Sequence, residues 1–140
     1  MGKYEQIAID LLEAAFGDRF ARDDSRIFSF GSDTGTGEVD GVIDGKVAAE
    51  IGVGSPKQIR ASTLDLALHP YAGKLLVLVD TPGHSTERSA GQARAILEEL
   101  GCGGVVFRVE EGRGREEMVG ELVDEYGVTE RNVVWTVDGR

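Results

Sequence analysis

The chain has 140 residues, 41% of them hydrophobic, which suits a single domain (residues 1–140) with a buried core. Its formal net charge of −10 opposes general affinity for nucleic acid, because phosphate binding depends on lysine and arginine, so a nucleic-acid partner requires a local basic surface. One cysteine and two histidines exclude a disulfide and a His/Cys zinc site, which leaves hard ions such as Mg²⁺ as the metals to consider.

The longest apolar runs, such as Leu75–Val79, are too short to cross a bilayer, and the N-terminus lacks a signal-peptide pattern. We therefore expect a cytoplasmic protein without a membrane segment.

The first half of the chain predicts one helix and three short strands. Residues 3–16 are expected to form an amphipathic helix, because apolar residues recur at helical spacing and Gly17 follows as a cap. Alternating apolar residues predict strands at Arg26–Gly31, Glu38–Ile43 and Lys46–Val53. Asp44-Gly45 joins the last two and is a strong hairpin signal.

The second half alternates between helices and strands. Ser55 is expected to be the N-cap of a helix with Pro56 in its first position, and Pro70 ends that helix. The remaining predicted elements are a central strand Lys74–Asp80, a helix over 85–100, a strand Gly104–Glu110, a helix Glu116–Tyr126 and a closing strand Asn132–Val137. This order predicts an α/β fold with a mixed sheet, helices on both faces, and a C-terminal strand–helix–strand extension after an αβββαβ core.

Two carboxylates lie at a notable spacing on the predicted hairpin. Asp40 and Glu50 are separated by nine residues in the stretch DGVIDGKVAAE. Together with the αβββαβ order, this stretch resembles the restriction-endonuclease-like PD-(D/E)xK nuclease superfamily. The resemblance implies that Asp40 and Glu50 are catalytic and hold Mg²⁺ or Mn²⁺, an ion that polarises the scissile phosphate and activates water. The implied function is metal-dependent phosphodiester hydrolysis of nucleic acid, and relatives often act as homodimers.

The lysine of that motif is missing here, because Gly52 stands two positions after Glu50. In some relatives the following helix supplies this group, which makes Lys57 the candidate water-orienting or charge-stabilising residue. Gln58 and Arg60, in the same part of the helix, become candidates for substrate binding. The N-terminal end of that helix also offers backbone N–H groups to a phosphate.

The hairpin register decides whether the two carboxylates meet. A plain two-residue turn at Asp44-Gly45 would place Asp40 and Glu50 on opposite faces of the sheet. A bulged turn with Gly45 in a left-handed conformation would pair Asp40 with Ala48 and bring both carboxylates to one face. Gly45 permits either turn, and the metal site requires the bulged one.

Two other functions stay open. A member of the same fold without catalysis could bind a protein or nucleic-acid partner through this surface. The stretch LVLVDTPGH, Leu76–His84, resembles the phosphate-sensing segment of translation-type GTPases, which would make the chain a nucleotide-binding switch. No phosphate-binding lysine loop precedes this stretch, and Thr81–His84 also fits a type II turn with Pro82 and Gly83 at its centre.

Overall fold

The computed structural model describes the backbone of residues 2–31 and 33–137, and side-chain burial up to residue 127. Its described part contains four helices: α1 Lys3–Phe16, α2 Pro56–Leu68, α3 Glu87–Glu99 and α4 Arg115–Val137. Seven strands accompany them: β1 Phe20–Ala21, β2 Ile27–Ser29, β3 Thr36–Glu38, β4 Gly41–Ile43, β5 Val47–Gly52, β6 Gly73–Val79 and β7 Val105–Val109. None of the helices in this part of the chain has the length and apolarity to span a membrane.

Five strands form one mixed sheet in the order β1-β4-β5-β6-β7, which confirms the α/β class. The pairs β1–β4 and β4–β5 are antiparallel, whereas β5–β6 and β6–β7 are parallel. Helices α2 and α3 make the connections between the parallel strands, as parallel pairing requires. The sheet thus has an antiparallel half and a parallel half that meet at β5.

Helices cover both faces of the sheet. Leu75 and Val77 of β6 belong to one buried cluster with residues of α1 and α4, and Leu76 and Leu78 belong to a second cluster with residues of α2 and α3. Side chains alternate between faces along a strand, so β6 is buried on both sides and reads as a continuous apolar run.

The helix after the hairpin begins as predicted. The Ser55 hydroxyl accepts the Gln58 N–H at 3.3 Å, and the Gln58 side-chain oxygen accepts the Ser55 N–H at 2.8 Å. This capping box satisfies two N–H groups at the helix start, and Pro56 occupies the first helical position. The helix ends at Leu68, before Pro70.

The predicted strand Arg26–Gly31 does not join the main sheet. Its core, β2, pairs with β3 in a separate two-stranded arm, and β1 takes the expected place beside β4. The predicted strand Glu38–Ile43 is divided into β3 and β4, with Val39 and Asp40 between them. The division follows from hydrogen bonding, because the Val39 N–H bonds to the Arg26 carbonyl in the arm while the Asp40 carboxylate accepts the Ile51 N–H.

The predicted closing strand Asn132–Val137 is wrong, because α4 continues through these residues. A short run of β-branched residues is equally compatible with strand and helix when periodicity alone is considered. Here no proline separates the run from the preceding helix, and each added helical residue gains a backbone hydrogen bond without needing a sheet partner. The C-terminal extension is therefore a strand, β7, followed by one long helix.

A polar contact fixes the tip of the β4–β5 hairpin to the body of the domain. Arg19 donates two hydrogen bonds to the Asp44 carboxylate, at 2.9 and 2.7 Å, and Tyr126 of α4 donates a third at 2.5 Å. The Asp44 N–H also bonds to the Arg19 carbonyl at 2.9 Å. The Arg19 guanidinium holds the pKa of Asp44 at about 2, below the usual range of an aspartate.

This contact predicts a loss of stability in acid. The folded-state pKa of Asp44 is depressed, so its contribution is complete above about pH 4 and disappears as the pH falls towards 2. We expect Asp44→Asn to lower the free energy of unfolding near neutral pH by about 1 kcal/mol, since the pair is partly exposed. Urea unfolding at several pH values measures this, with Asp18→Asn as the matched exposed control. An unchanged pH profile in Asp44→Asn would contradict the assignment.

Candidate carboxylate site

The hairpin adopts a register different from both turns considered above. Ile43 pairs with Val47, which leaves a three-residue loop in which Asp44 and Gly45 have φ of 54° and 64°. The last pair at the open end of the ladder is Gly41 with Ala49. One step further along this register, Asp40 lies opposite Glu50, so the two carboxyl groups meet on one face of the sheet.

Glu50 is a buried acid on the side of the sheet that α2 covers. Only 7% of Glu50 is exposed, and its parallel-strand partner is Leu76. Burial, then a hydrogen bond to the Asp40 carboxyl and the charge of Asp40, and finally the charge of Asp65 raise the pKa of Glu50 to about 11. Glu50 is therefore protonated at neutral pH and donates its O–H to Asp40.

Asp40 is the more accessible partner and is held from two sides. Its Oδ2 accepts the Ile51 N–H at 2.8 Å, and its backbone carbonyl accepts the Arg22 Nε–H at 3.1 Å. The carboxylate is half-buried, whereas Arg22 is exposed. The pair is thus one fixed, partly accessible carboxylate and one buried carboxylic acid that share a proton.

Two carboxyl groups offer the oxygen ligands that a hard divalent cation takes. Two like charges held together retain a proton, and a cation that displaces this proton removes their repulsion. Among the described residues no group of three or more Asp, Glu, His or Cys side chains is placed to hold a metal. Asp40 and Glu50 would therefore supply two protein ligands, an arrangement that Mg²⁺ accepts because it keeps several of its waters.

The other predicted site residues lie around the start of α2. Lys57 and Arg60 are exposed, and no ion pair in the described part of the chain joins either one to Asp40 or Glu50. The Gln58 side chain is engaged in the capping box with Ser55.

The position where the family motif has lysine is closed. A Cβ atom added to Gly52 would lie 2.5 Å from Cδ2 of Leu78 and 3.5 Å from the Ile59 side chain. Leu78 is completely buried at this point. A long side chain at position 52 would therefore displace core residues.

The Asp80 segment is an internally bonded turn. The Thr86 N–H and hydroxyl donate to Asp80 Oδ1 at 2.8 and 2.6 Å, and Arg108 lies 3.3 Å from Oδ2. The His84 N–H bonds to the Thr81 carbonyl at 2.9 Å and Gly83 has φ of 79°, as a type II turn predicts. The Asp80 carboxylate is thus occupied by the protein itself.

Two residues near the pair were not predicted from the sequence. Asp65 of α2 is half-buried, and burial raises its own pKa. Its signal is weak, since a single acidic residue beside the apolar stripe of a helix is usually solvated. Arg22 follows a strand of only two residues, which no periodicity reveals.

Comparison of the chain with protein-family models, with curated proteins and with solved structures found no match.

The buried acid predicts a stability that falls as the pH rises. Above about pH 4.5 the unfolded chain releases the Glu50 proton and the folded protein keeps it, so each pH unit towards 11 costs up to about 1.4 kcal/mol. Glu50→Gln keeps the shape and the hydrogen bond to Asp40 without this proton, so its advantage over wild type should grow between about pH 5 and about pH 8. Urea unfolding of both proteins measures the difference, with the exposed Glu98→Gln as control. A constant difference would mean that Glu50 is ionised when buried.

Proposed function

We propose that this protein is a metal-dependent nuclease of the restriction-endonuclease-like kind, which hydrolyses phosphodiester bonds of nucleic acid. The observation that carries the proposal is the position of Asp40, directly before β4, opposite Glu50 in the antiparallel β5, with one carboxyl buried and the other partly accessible. Solvated strand residues would not be expected to converge and share a proton in this way.

The order of the elements supports the same family. Helix α1, the antiparallel strands β1, β4 and β5, then α2 and β6 follow one another in the αβββαβ order. The arm formed by β2 and β3 is an insertion between the first two strands of this core. Glu50 lies in the third strand, as the resemblance implies, whereas Asp40 directly precedes the second strand instead of lying on it.

The chain's own residues prepare the reaction. Asp40 is held by the Ile51 N–H. Glu50 would release its proton to solvent on binding a cation. Mg²⁺ or Mn²⁺ bound there would polarise the phosphate and lower the pKa of the attacking water. The water oxygen bonds to phosphorus as the ester P–O bond breaks. The proton that water loses is balanced by the proton that the leaving alkoxide gains, giving a phosphate monoester and a hydroxyl end.

Lys57 is the proposed charge-stabilising group in this scheme. It lies in the first turn of α2, where the positive end of the helix dipole adds to its own charge. Arg60 would contact the nucleic-acid backbone, and Gln58 would contribute only after leaving its cap. Lys57 and Arg60 would together provide the local basic surface that an acidic protein needs in order to bind a phosphate.

A non-catalytic member of the same fold is the alternative, and one observation favours it. Gly52 leaves no room for the motif lysine, because Leu78 and Ile59 fill that space. A chain that had lost catalysis would keep the packed core and bind a protein or nucleic-acid partner through the same surface.

Cleavage and metal binding together test the proposal. Wild type should nick plasmid DNA or cut single-stranded DNA or RNA in Mg²⁺ or Mn²⁺, and millimolar metal should raise its melting temperature. Asp40→Asn and Glu50→Gln should abolish both effects, because each removes a ligand charge. Lys57→Ala should keep the metal-induced shift and lower cleavage by about 10²-fold or more, since its role is towards the phosphate.

The outcomes separate the functions. Metal or partner binding without cleavage in wild type would favour the non-catalytic alternative. An absence of metal stabilisation, with Glu50→Gln indistinguishable from wild type in every assay, would reject the carboxylate site altogether. Arg88→Gln, an exposed substitution on α3, serves as the control for a change of surface charge.

A further inference from the structure

We propose that Arg22 binds the scissile phosphate beside Asp40 and supplies the charge that the missing motif lysine would have carried. This inference rests on the proposed nuclease function and adds a residue to it. It depends on where the Arg22 guanidinium is fixed, on which groups it leaves free, and on the closure of the lysine position.

The Arg22 guanidinium is anchored at the candidate site. Its Nε–H donates to the Asp40 backbone carbonyl at 3.1 Å, and the residue is otherwise exposed. Arg22 directly follows β1, which pairs with β4 through only two residues, so this bond helps to position the segment next to Asp40. The guanidinium is therefore held at the backbone of Asp40, the residue whose carboxylate is the accessible member of the pair.

The free groups of Arg22 match a phosphate. A guanidinium has five N–H donors, and the Nε bond uses one, which leaves the four on Nη1 and Nη2. No ion pair joins Arg22 to an acidic residue within the described part of the chain. A planar fork of this kind binds two oxygens of a phosphate at once, whereas lysine acts as a point charge.

Other arginines of the chain form ion pairs with acidic residues. Arg19 is bonded to Asp44 at the hairpin tip, and Arg26 lies 3.7 Å from Glu38 in the arm. Arg108 of the edge strand β7, at the other edge of the sheet from β1, is bonded to Asp80. Arg22 is thus distinguished by being bonded to the site through a backbone oxygen, without an acidic partner among the residues that the structure describes.

The core explains why the cation has to come from this direction. Leu78 and Ile59 occupy the space above Gly52, so a charge cannot extend along β5 as the family motif would have it. Lys57 lies at the start of α2, and Arg22 lies on the β1 side, where it bonds to the backbone carbonyl of Asp40. The inference is that a phosphate bound at Asp40 contacts both cations.

Substitution of Arg22 tests this role. Arg22→Gln should lower kcat by about tenfold to a hundredfold, as loss of a preorganised donor does, while its melting temperature and metal-induced shift stay at wild-type values. Added guanidinium ion should restore part of the activity of Arg22→Gln, and Arg22→Lys should keep an intermediate rate. Arg88→Gln should behave as wild type.

In fluorescence anisotropy with a labelled oligonucleotide, Arg22→Gln should also reduce the salt dependence of binding by about one counterion.

Each result decides between this inference and the function beneath it. If wild type cleaves and Arg22→Gln cleaves equally well, Arg22 has no such role and the nuclease assignment stands. A loss of activity in Arg22→Gln that accompanies a lower melting temperature and resists guanidinium rescue shows a structural role, which also overturns the inference. If wild type binds the oligonucleotide without cleaving it, the hydrolase function is rejected. Weaker binding by Arg22→Gln would then still support phosphate binding by Arg22, and equal binding would reject that role as well. Wild type that neither binds nor cleaves rejects both as well.

Discussion

The register of the β4–β5 hairpin is the constraint on which the candidate site depends. Side chains alternate along a strand, so a slip of one residue would turn Asp40 away from Glu50 and expose residues that the core needs. In the three-residue loop Asp44 adopts a left-handed backbone conformation. The hydrogen bonds that Arg19 and Tyr126 donate to its carboxylate offset the free-energy cost of this conformation. A contact at the hairpin tip thereby sets the geometry at its open end.

Burial of Glu50 opposes stability, and the fold keeps it nevertheless. A carboxylic acid surrounded by Leu76 and α2 costs more than an apolar residue of the same size would. Asp40 reduces this cost by accepting a hydrogen bond from the protonated Glu50. Buried titratable pairs of this kind are more common at functional sites than in purely structural cores, because the strain is useful only where a ligand can relieve it.

The parallel half of the sheet forms the core, and the antiparallel half holds the site residues. The parallel half, β5 to β7, is buried on both faces and supplies most of the apolar core. The antiparallel half consists of short strands, and it holds Asp40 and Arg22 near solvent. The inserted arm is secured to the end of α2 by the buried His69, whose Nε2–H donates to the Ser25 carbonyl at 2.8 Å while its Nδ1 accepts the Tyr71 N–H. Rigid support thus surrounds a site that lies at the edge of the core.

The sequence alone determined α1, the capped start of α2, the buried β6 and the hairpin around Gly45, because each has a local signal in periodicity, capping or turn chemistry. Only the tertiary structure decided the register, in which the hairpin tip is bonded to Arg19, 25 residues from Asp44. The two-residue β1 carries no periodicity, and the helical state of residues 132–137 was undetermined for a short β-branched run. The effect of the Asp65 charge on Glu50 and the hydrogen bond of Arg22 to Asp40 likewise link separate parts of the chain. Local patterns therefore identified the two carboxylates, and long-range packing decided that they meet.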